Sequence, residues 1–270
     1  LWISDRAHLV MPYHKQLEGI QETARGTGAI GTTRRGIGPT YYDKVSREHG
    51  LRAGDLLDPT GFRTRLRKIV ADKNEVFTRV YGAEPVNADA VADEYLGYAE
   101  QMRPFIADTA AILHKAQNAG KGILCEGAQG TLLDIDHGTY PFVTSSNTSA
   151  GGACTGTGIG PTAISEVIGI VKAYTSRVGN GPFPTEFECE MGNRMRDLWN
   201  EYGATTRRPR RCGWLDGVIL EYSARINGLT GLAVTALDRL DVLSELRICR
   251  EYVLDGKRLH TVPARTEDFV

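Results

Sequence analysis

Short apolar runs that break directly into glycine loops constrain this chain more than any other feature. Gly122-Ile123-Leu124-Cys125-Glu126 reads as a buried strand and passes at once into a loop holding Gly127 and Gly130. Ile168 to Tyr174, Leu232 to Leu237 and Leu246 to Val253 read as further strands, and Leu1 to Ser4 as a short opening one. Between them the period becomes helical. Phe62, Leu66, Ile69, Val70, Phe77 and Val80 share one face of Phe62 to Tyr81, and helices are predicted near Tyr13 to Thr23 and over Leu215 to Ile226. Ala88 to Asn118 is helical too, with Pro104 kinking or splitting it. Arg25 to Tyr42 reads as loop, and a second glycine loop, Gly151 to Gly160, leads into a short helix opened by Pro161.

Strands alternating with helices predict an α/β fold: a largely parallel central sheet, flanking helices and long glycine-rich loops. Ligands of such folds sit beyond the carboxyl ends of strands, where these loops fall. No internal repeat or low-complexity linker interrupts the chain, so residues 1–270 are read as a single α/β domain. The sequence starts at Leu1 without a methionine, and the chain is expected to be part of a longer one.

Composition narrows the partners. Glycine makes up 31 of 270 residues, about 11% against a usual ~7%, and gathers in loops where backbone can approach a ligand. A formal net charge of −1 gives no global field for nucleic acid. Positive charge is instead local, in Arg207, Arg208, Arg210 and Arg211, which suits a small anion. No run of ~18 apolar residues is long enough for a membrane span. Cys125, Cys154, Cys189, Cys212 and Cys249 form no C-x-x-C pair and read as reduced thiols, so the expected location is cytoplasmic.

Four stretches carry chemistry. Gly31-Thr32-Thr33-Arg34-Arg35-Gly36-Ile37-Gly38-Pro39 offers N–H and O–H donors to a phosphate, or is a surface turn. Glu126 to Asn147 packs polar residues straight after a strand. Its Asp134, Asp136 and His137 have ligand chemistry, but their spacing matches no common metal site, so a hydrogen-bonded scaffold is preferred. Gly203 to Arg211 sets guanidiniums close enough to grip carboxylates or phosphates, unless it is a solvated basic loop. Asp238, after Thr235-Ala236-Leu237, can accept two hydrogen bonds from a guanine edge or cap a helix. No Walker-type phosphate loop occurs.

Taken together, GTTRRGIGPTYYDKVSR (31–47), EGAQGTLLDIDHGTYPFVTSSNTSAGG (126–152), KAYTSRVGNGPFPTE (172–186), ATTRRPRRCGWLD (204–216) and TALD (235–238) resemble the adenylosuccinate synthetase family over most of the chain. The resemblance implies that family's P-loop-NTPase-like fold and a GTP- and Mg²⁺-dependent carbon–nitrogen ligase of purine biosynthesis. Such an enzyme joins L-aspartate to IMP through a 6-phosphoryl intermediate, as a homodimer. By the same resemblance Thr33 and Thr144 meet the IMP phosphate, and Arg47 reaches the IMP of the partner subunit. Gln129 contacts IMP near its base, and Val178 and Gly179 touch its ribose. Ala204, Thr205, Thr206, Arg207, Arg208, Pro209 and Arg210 match a mobile loop over aspartate. Arg208 lies near IMP and Arg210 near the GTP phosphates, so Gln129, Arg208 and Arg210 are the implied catalytic residues. Ala236, Leu237 and Asp238 match the guanine-binding turn.

Arg34 and Arg207 stand where the family commonly has glycine, and Ala236 where it has lysine. The two arginines are expected to point to solvent. The family's catalytic Asp, its catalytic His and its Mg²⁺-holding phosphate loop find no match within 1–270, so no metal ligand is assigned in this chain and the chain alone is expected to be inactive. The rival readings are a non-catalytic nucleotide-binding protein and a nucleic-acid module using Arg207 to Arg211.

Overall fold

The computed structural model describes residues 1–203 and 207–269, with the side chains of Thr27 and Cys189 left aside. Ala204, Thr205 and Thr206, which the resemblance assigns to aspartate, lie outside the described residues. The chain divides into two compact units, one of residues 1–125 with 157–159, the other of 126–156 with 160–270.

In the first unit, helices pack around a short parallel strand pair. Strand β1 (Ile3–Ser4) pairs with β2 (Ile106–Ala107), and between them run α1 (Pro12–Arg25), α2 (Ile37–Ser46), α3 (Pro59–Tyr81) and α4 (Ala88–Met102), with α5 (Thr109–Asn118) after. Local chemistry sets the ends. Asp58 caps α3 by accepting from the Gly61 amide at 3.0 Å, Pro59 sits at its first position, and Gly82 ends it in a left-handed conformation. Pro104 lies in a 3-10 turn between α4 and α5, so the helical stretch is split rather than kinked. The core is the expected face of α3, Phe62, Leu66, Ile69, Val70 and Phe77, packed with Tyr13, Leu51, Leu56 and Val91. Val80, placed on that face by period, is 69% exposed in the last turn.

The second unit holds α6 (Gly151–Thr157), β3 (Ile168–Lys172), β4 (Thr175–Val178), α7 (Cys189–Leu198), β5 (Arg210–Gly213), β6 (Leu215–Asp216), α8 (Gly217–Asn227), β7 (Gly231–Thr235), β8 (Ile248–Cys249), β9 (Tyr252–Leu254) and β10 (Lys257–Leu259). The parallel character is present: β3 runs parallel to β7, and β6 to β8. The β4–β5 and β9–β10 pairs are antiparallel, the latter joined by Asp255-Gly256 with both residues at positive φ, the signature of a tight hairpin turn. Among the described residues the strands pair in twos. Tyr174, Phe187, Met195, Trp199 and Cys212 form this unit's core. Burial pushes the Cys212 thiol up to about 11.

Several expectations need correction. Residues 122–126 form no strand and Leu124 is 95% exposed; among the described residues no strand pairs with this segment. Helix α2 begins inside the stretch read as loop, because Gly36 turns the chain at φ 80° and frees Ile37 onward to wind. Residues 151–157 are helical despite their glycines. Residues 215–216 are a strand before α8, whose cap is Asp216 accepting the Ile219 amide at 3.0 Å. Helix α7 and strand β5, which pairs antiparallel with β4 across the intervening helix, carry no signal in the apolar pattern.

Candidate functional site

In the first unit, buried carboxylates shape the loop before α2. Glu22 accepts the amides of Ile30, Gly31 and Thr32 at 3.3, 3.0 and 3.2 Å, and Glu18 accepts the Gly36 amide at 2.7 Å. Burial opposes charge on Glu22, but these amides and Arg25 outweigh it and hold the carboxyl below its ordinary range. Those donors are therefore spent on protein, and Thr33 is left exposed on the outer side of the turn. Arg47 follows α2, also exposed, at φ 69°. Beneath them His14 Nδ1 accepts the Met11 amide at 2.9 Å, so Nε2–H donates to Asp43 at 2.9 Å, and Lys73 pairs with the same carboxylate at 2.5 Å.

In the second unit, Asp134 organises the loop that carries Gln129 and Thr144. Its buried carboxylate accepts the amides of Asp136, His137, Thr148 and Ser149 at 2.9, 3.1, 2.7 and 3.1 Å. Asp136 in turn accepts from Asn147 at 2.6 Å. A carboxylate whose lone pairs all face amides has none for a cation, so the scaffold reading of this loop holds. Among the described residues no cluster of three His, Cys, Asp or Glu side chains fits a metal. The residues of this loop do not fit a Mg²⁺ site.

Arg177 ties this loop to β4, donating to Thr139 Oγ1 at 2.9 Å and the Phe142 carbonyl at 3.2 Å. Burial, with Arg211 nearby, lowers its guanidinium to about 10. Arg177 faces Arg211 across the antiparallel β4–β5 pair, and Val178 faces Arg210. The residues assigned to ribose and to GTP phosphate are thus register partners. Arg211 forks onto Glu186 and donates to the Gly181 carbonyl at 2.8 Å.

The carboxyl ends of β3 and β7 lie side by side, with Lys172 opposite Thr235. Ala236, at φ 59°, then turns the chain into a 3-10 segment that presents exposed Leu237 and Asp238. Beside this turn stands Glu201, 2% exposed, which sequence reasoning missed. Its Oε1 accepts from Lys172 at 2.6 Å, from Arg239 at 2.9 Å and from the Tyr174 hydroxyl; its Oε2 accepts from Arg210 at 2.9 Å. Burial disfavours its charge, but Lys172, Tyr174 and Arg210 hold the carboxyl below the ordinary range. One carboxylate meets three half-exposed cations, leaving a local excess of two positive charges where an anion can dock. The only sequence signal for it was a glutamate standing just ahead of an arginine cluster.

Gly203, Arg207 and Arg208 lie next to this point in the chain. Tyr202 bridges Pro209, the Gly203 amide donates to the Arg208 carbonyl at 2.8 Å, and the Arg207 amide donates to the Gly203 carbonyl at 2.8 Å. Arg34 and Arg207 are exposed, as expected, and both have left-handed backbone, φ 55° and 53°. Such φ values are uncommon outside glycine and gather at functional sites. Among the described residues seven non-glycine ones show them: Arg34, Arg47, Gln129, Asn200, Arg207, Ala236 and Asp255. Five of these seven lie among the residues singled out above from sequence.

A family model described as adenylosuccinate synthetase matches residues 1–270. An adenylosuccinate synthetase of Heliobacterium modesticaldum is 57% identical over 93% of this chain and 59% of its own length. One from Thermobifida fusca is 53% identical over 100% of this chain and 63% of its own. A structure of fully ligated adenylosuccinate synthetase from Plasmodium falciparum superposes with a TM-score of 0.93 at 37% identity, covering 99% of this chain and 63% of that one. The chain therefore spans about three fifths of the length of these relatives.

Proposed function

The chain belongs to the adenylosuccinate synthetase family, and from that membership we propose that the full-length protein ligates L-aspartate to IMP at the expense of GTP. The products are adenylosuccinate, GDP and phosphate. The 6-oxygen of IMP is a poor leaving group until phosphorylated; the aspartate amine then displaces the phosphate. Protein work in such a sequence is positioning and charge stabilisation.

In this reading Thr33 and Thr144 receive the IMP phosphate, Gln129 lies near the base and Val178 near the ribose. Residues 204–210 close over aspartate, with Arg208 between aspartate and IMP. Arg210 turns toward GTP phosphate, and Asp238 reads guanine. Arg47 completes the site of a second copy in a homodimer. Mg²⁺ would shield phosphate charge when bound, held by groups other than those described. The cell compartment is cytoplasmic, and residues 1–270 alone turn nothing over.

The observation that supports the reading best is the concentration of left-handed backbone at Arg34, Arg47, Gln129, Arg207 and Ala236. Strain kept at five substrate-loop positions is the mark of loops built for ligands. The test is adenylosuccinate formation by the full-length protein from IMP, aspartate and GTP, with Arg208→Ala alongside. Loss of aspartate use and IMP affinity in the variant supports the loop assignment; unchanged kinetics refute it. Product formation with ATP equal to that with GTP would refute the guanine role of Asp238.

A further inference from the structure

Helix α1 buries three polar side chains one turn apart. His14, Glu18 and Glu22 recur every four residues, so they line one face of the helix, and they are only 2%, 6% and 5% exposed. Each holds a different piece of the segment that follows, in reverse order. Glu22 accepts the amides of Ile30, Gly31 and Thr32, and Glu18 accepts the amide of Gly36 at 2.7 Å. His14 meets Thr40 Oγ1 at Nδ1 and Asp43 at Nε2, both at 2.9 Å. The segment from Ile30 to Asp43 therefore runs back along α1 on a rail of polar side chains. Between the two glutamates it leaves the rail for three residues. Thr33, Arg34 and Arg35 are exposed, whereas Gly36 is buried again, so close to α1 that an added Cβ would meet the Lys15 nitrogen at 2.9 Å.

We propose that Glu18 and Glu22 are positioning residues for Thr33: they fix both ends of the exposed bow and aim its hydroxyl at the phosphate of the nucleotide substrate, which is met by that side chain and not by the amides the two glutamates occupy. This rests on the reading of Thr33 given above. A glycine loop often takes a phosphate in a nest of successive amides. Here the amides of residues 30, 31, 32 and 36 end on carboxylate oxygens, and an ionised carboxylate only accepts. With the chain fixed at Thr32 and at Gly36, the three residues between have few conformations left, and Arg34 takes the left-handed one at φ 55°. Arg25, from the same helix, balances Glu22 at 3.0 Å, while Arg34 and Arg35 stay on the exposed side of the bow beside the hydroxyl.

The experiment is a double-mutant cycle in the full-length protein, Glu22→Gln against Thr33→Ala, read in the steady-state KM for IMP, GTP and aspartate with thermal unfolding alongside. Glutamine keeps the shape of Glu22 but turns N–H donors on amides that are donors themselves. Glu22→Gln alone should raise the IMP KM tenfold or more and leave the GTP and aspartate constants within twofold. In the Thr33→Ala background the same change should raise the IMP KM less than threefold, because the hydroxyl it positions is gone. Glu22→Asp, which keeps the charge, should recover part of the loss. Glu18→Gln, acting at the Gly36 end, should give the same pattern and replaces Glu22→Gln in the cycle if that protein does not fold. An effect of equal size with and without the Thr33 hydroxyl overturns the proposal, and so does an IMP KM within twofold of wild type or a rise shared by all three constants. A wild-type protein that forms no adenylosuccinate, or a Thr33→Ala protein with an unchanged IMP KM, overturns the functional reading instead.

Discussion

Glu201 and Arg210 are bonded twice, once through the side chains at 2.9 Å and once from the Arg210 amide to the Glu201 carbonyl at 2.9 Å. Double fastening holds the start of β5 to Glu201 through both main chain and side chain. It also means that the arginine assigned to GTP phosphate is balanced by protein charge before any ligand arrives.

Arg34→Gly and Arg207→Gly should each stabilise the protein. A left-handed arginine costs roughly 1–2 kcal/mol, and glycine removes that strain while adding unfolded-state entropy of about 0.4–1 kcal/mol. The expected gain in urea unfolding is a few tenths to about 1 kcal/mol for each. A loss instead would show that the arginine side chain contributes contacts.

Gly36→Ala should do the reverse. Gly36 sits at φ 80°, and an added Cβ would lie 2.9 Å from the His14 backbone carbon. A drop of about 1–3 kcal/mol is expected by denaturant titration, with a weakened IMP KM because the Thr33 turn moves.

Acid should weaken the first unit in two stages. Burial lowers the His14 imidazole below 6.5, so the native state keeps it neutral while the unfolded chain takes up a proton. Stability is full above about 6.5 and falls as the pH drops below it. Asp43 is buried, yet hydrogen bonds from His14 and Lys73 hold it below 3.8, and its contribution is lost as the pH falls through that region. Unfolding midpoints against pH should show both limbs, and His14→Asn should flatten the upper one.

Arg47→Leu should remove activity without altering the fold, since Arg47 is exposed. Mixing it with an inactive Arg208→Ala protein should restore part of the activity through hybrid dimers with one intact site. No recovery in the mixture would refute the shared site.

Legibility followed the physics of range. The α3 face was readable because the helical period alone defines it, strand β3 because its apolar run finds a partner in β7, and Asp134 because a carboxylate amid glycines can serve amides or a metal. Residues 122–126 misled because an apolar run says nothing of whether a partner strand is present. Glu201 was hidden for a related reason. Its meaning comes from Lys172 and Arg239, 29 and 38 residues away, and no spacing rule links them. The left-handed residues were legible only in part: departures from glycine at Arg34 and Arg207 were visible, but their φ values were not.

Cys212 lies in β5, 1% exposed, its thiol raised to about 11 by burial. An alkylating reagent should therefore modify it only during moments when the β4–β5 pair opens. The buried sulfur is a stopwatch inside the β4–β5 pair: labelling rates there, with and without nucleotide, time the opening of the two strands directly.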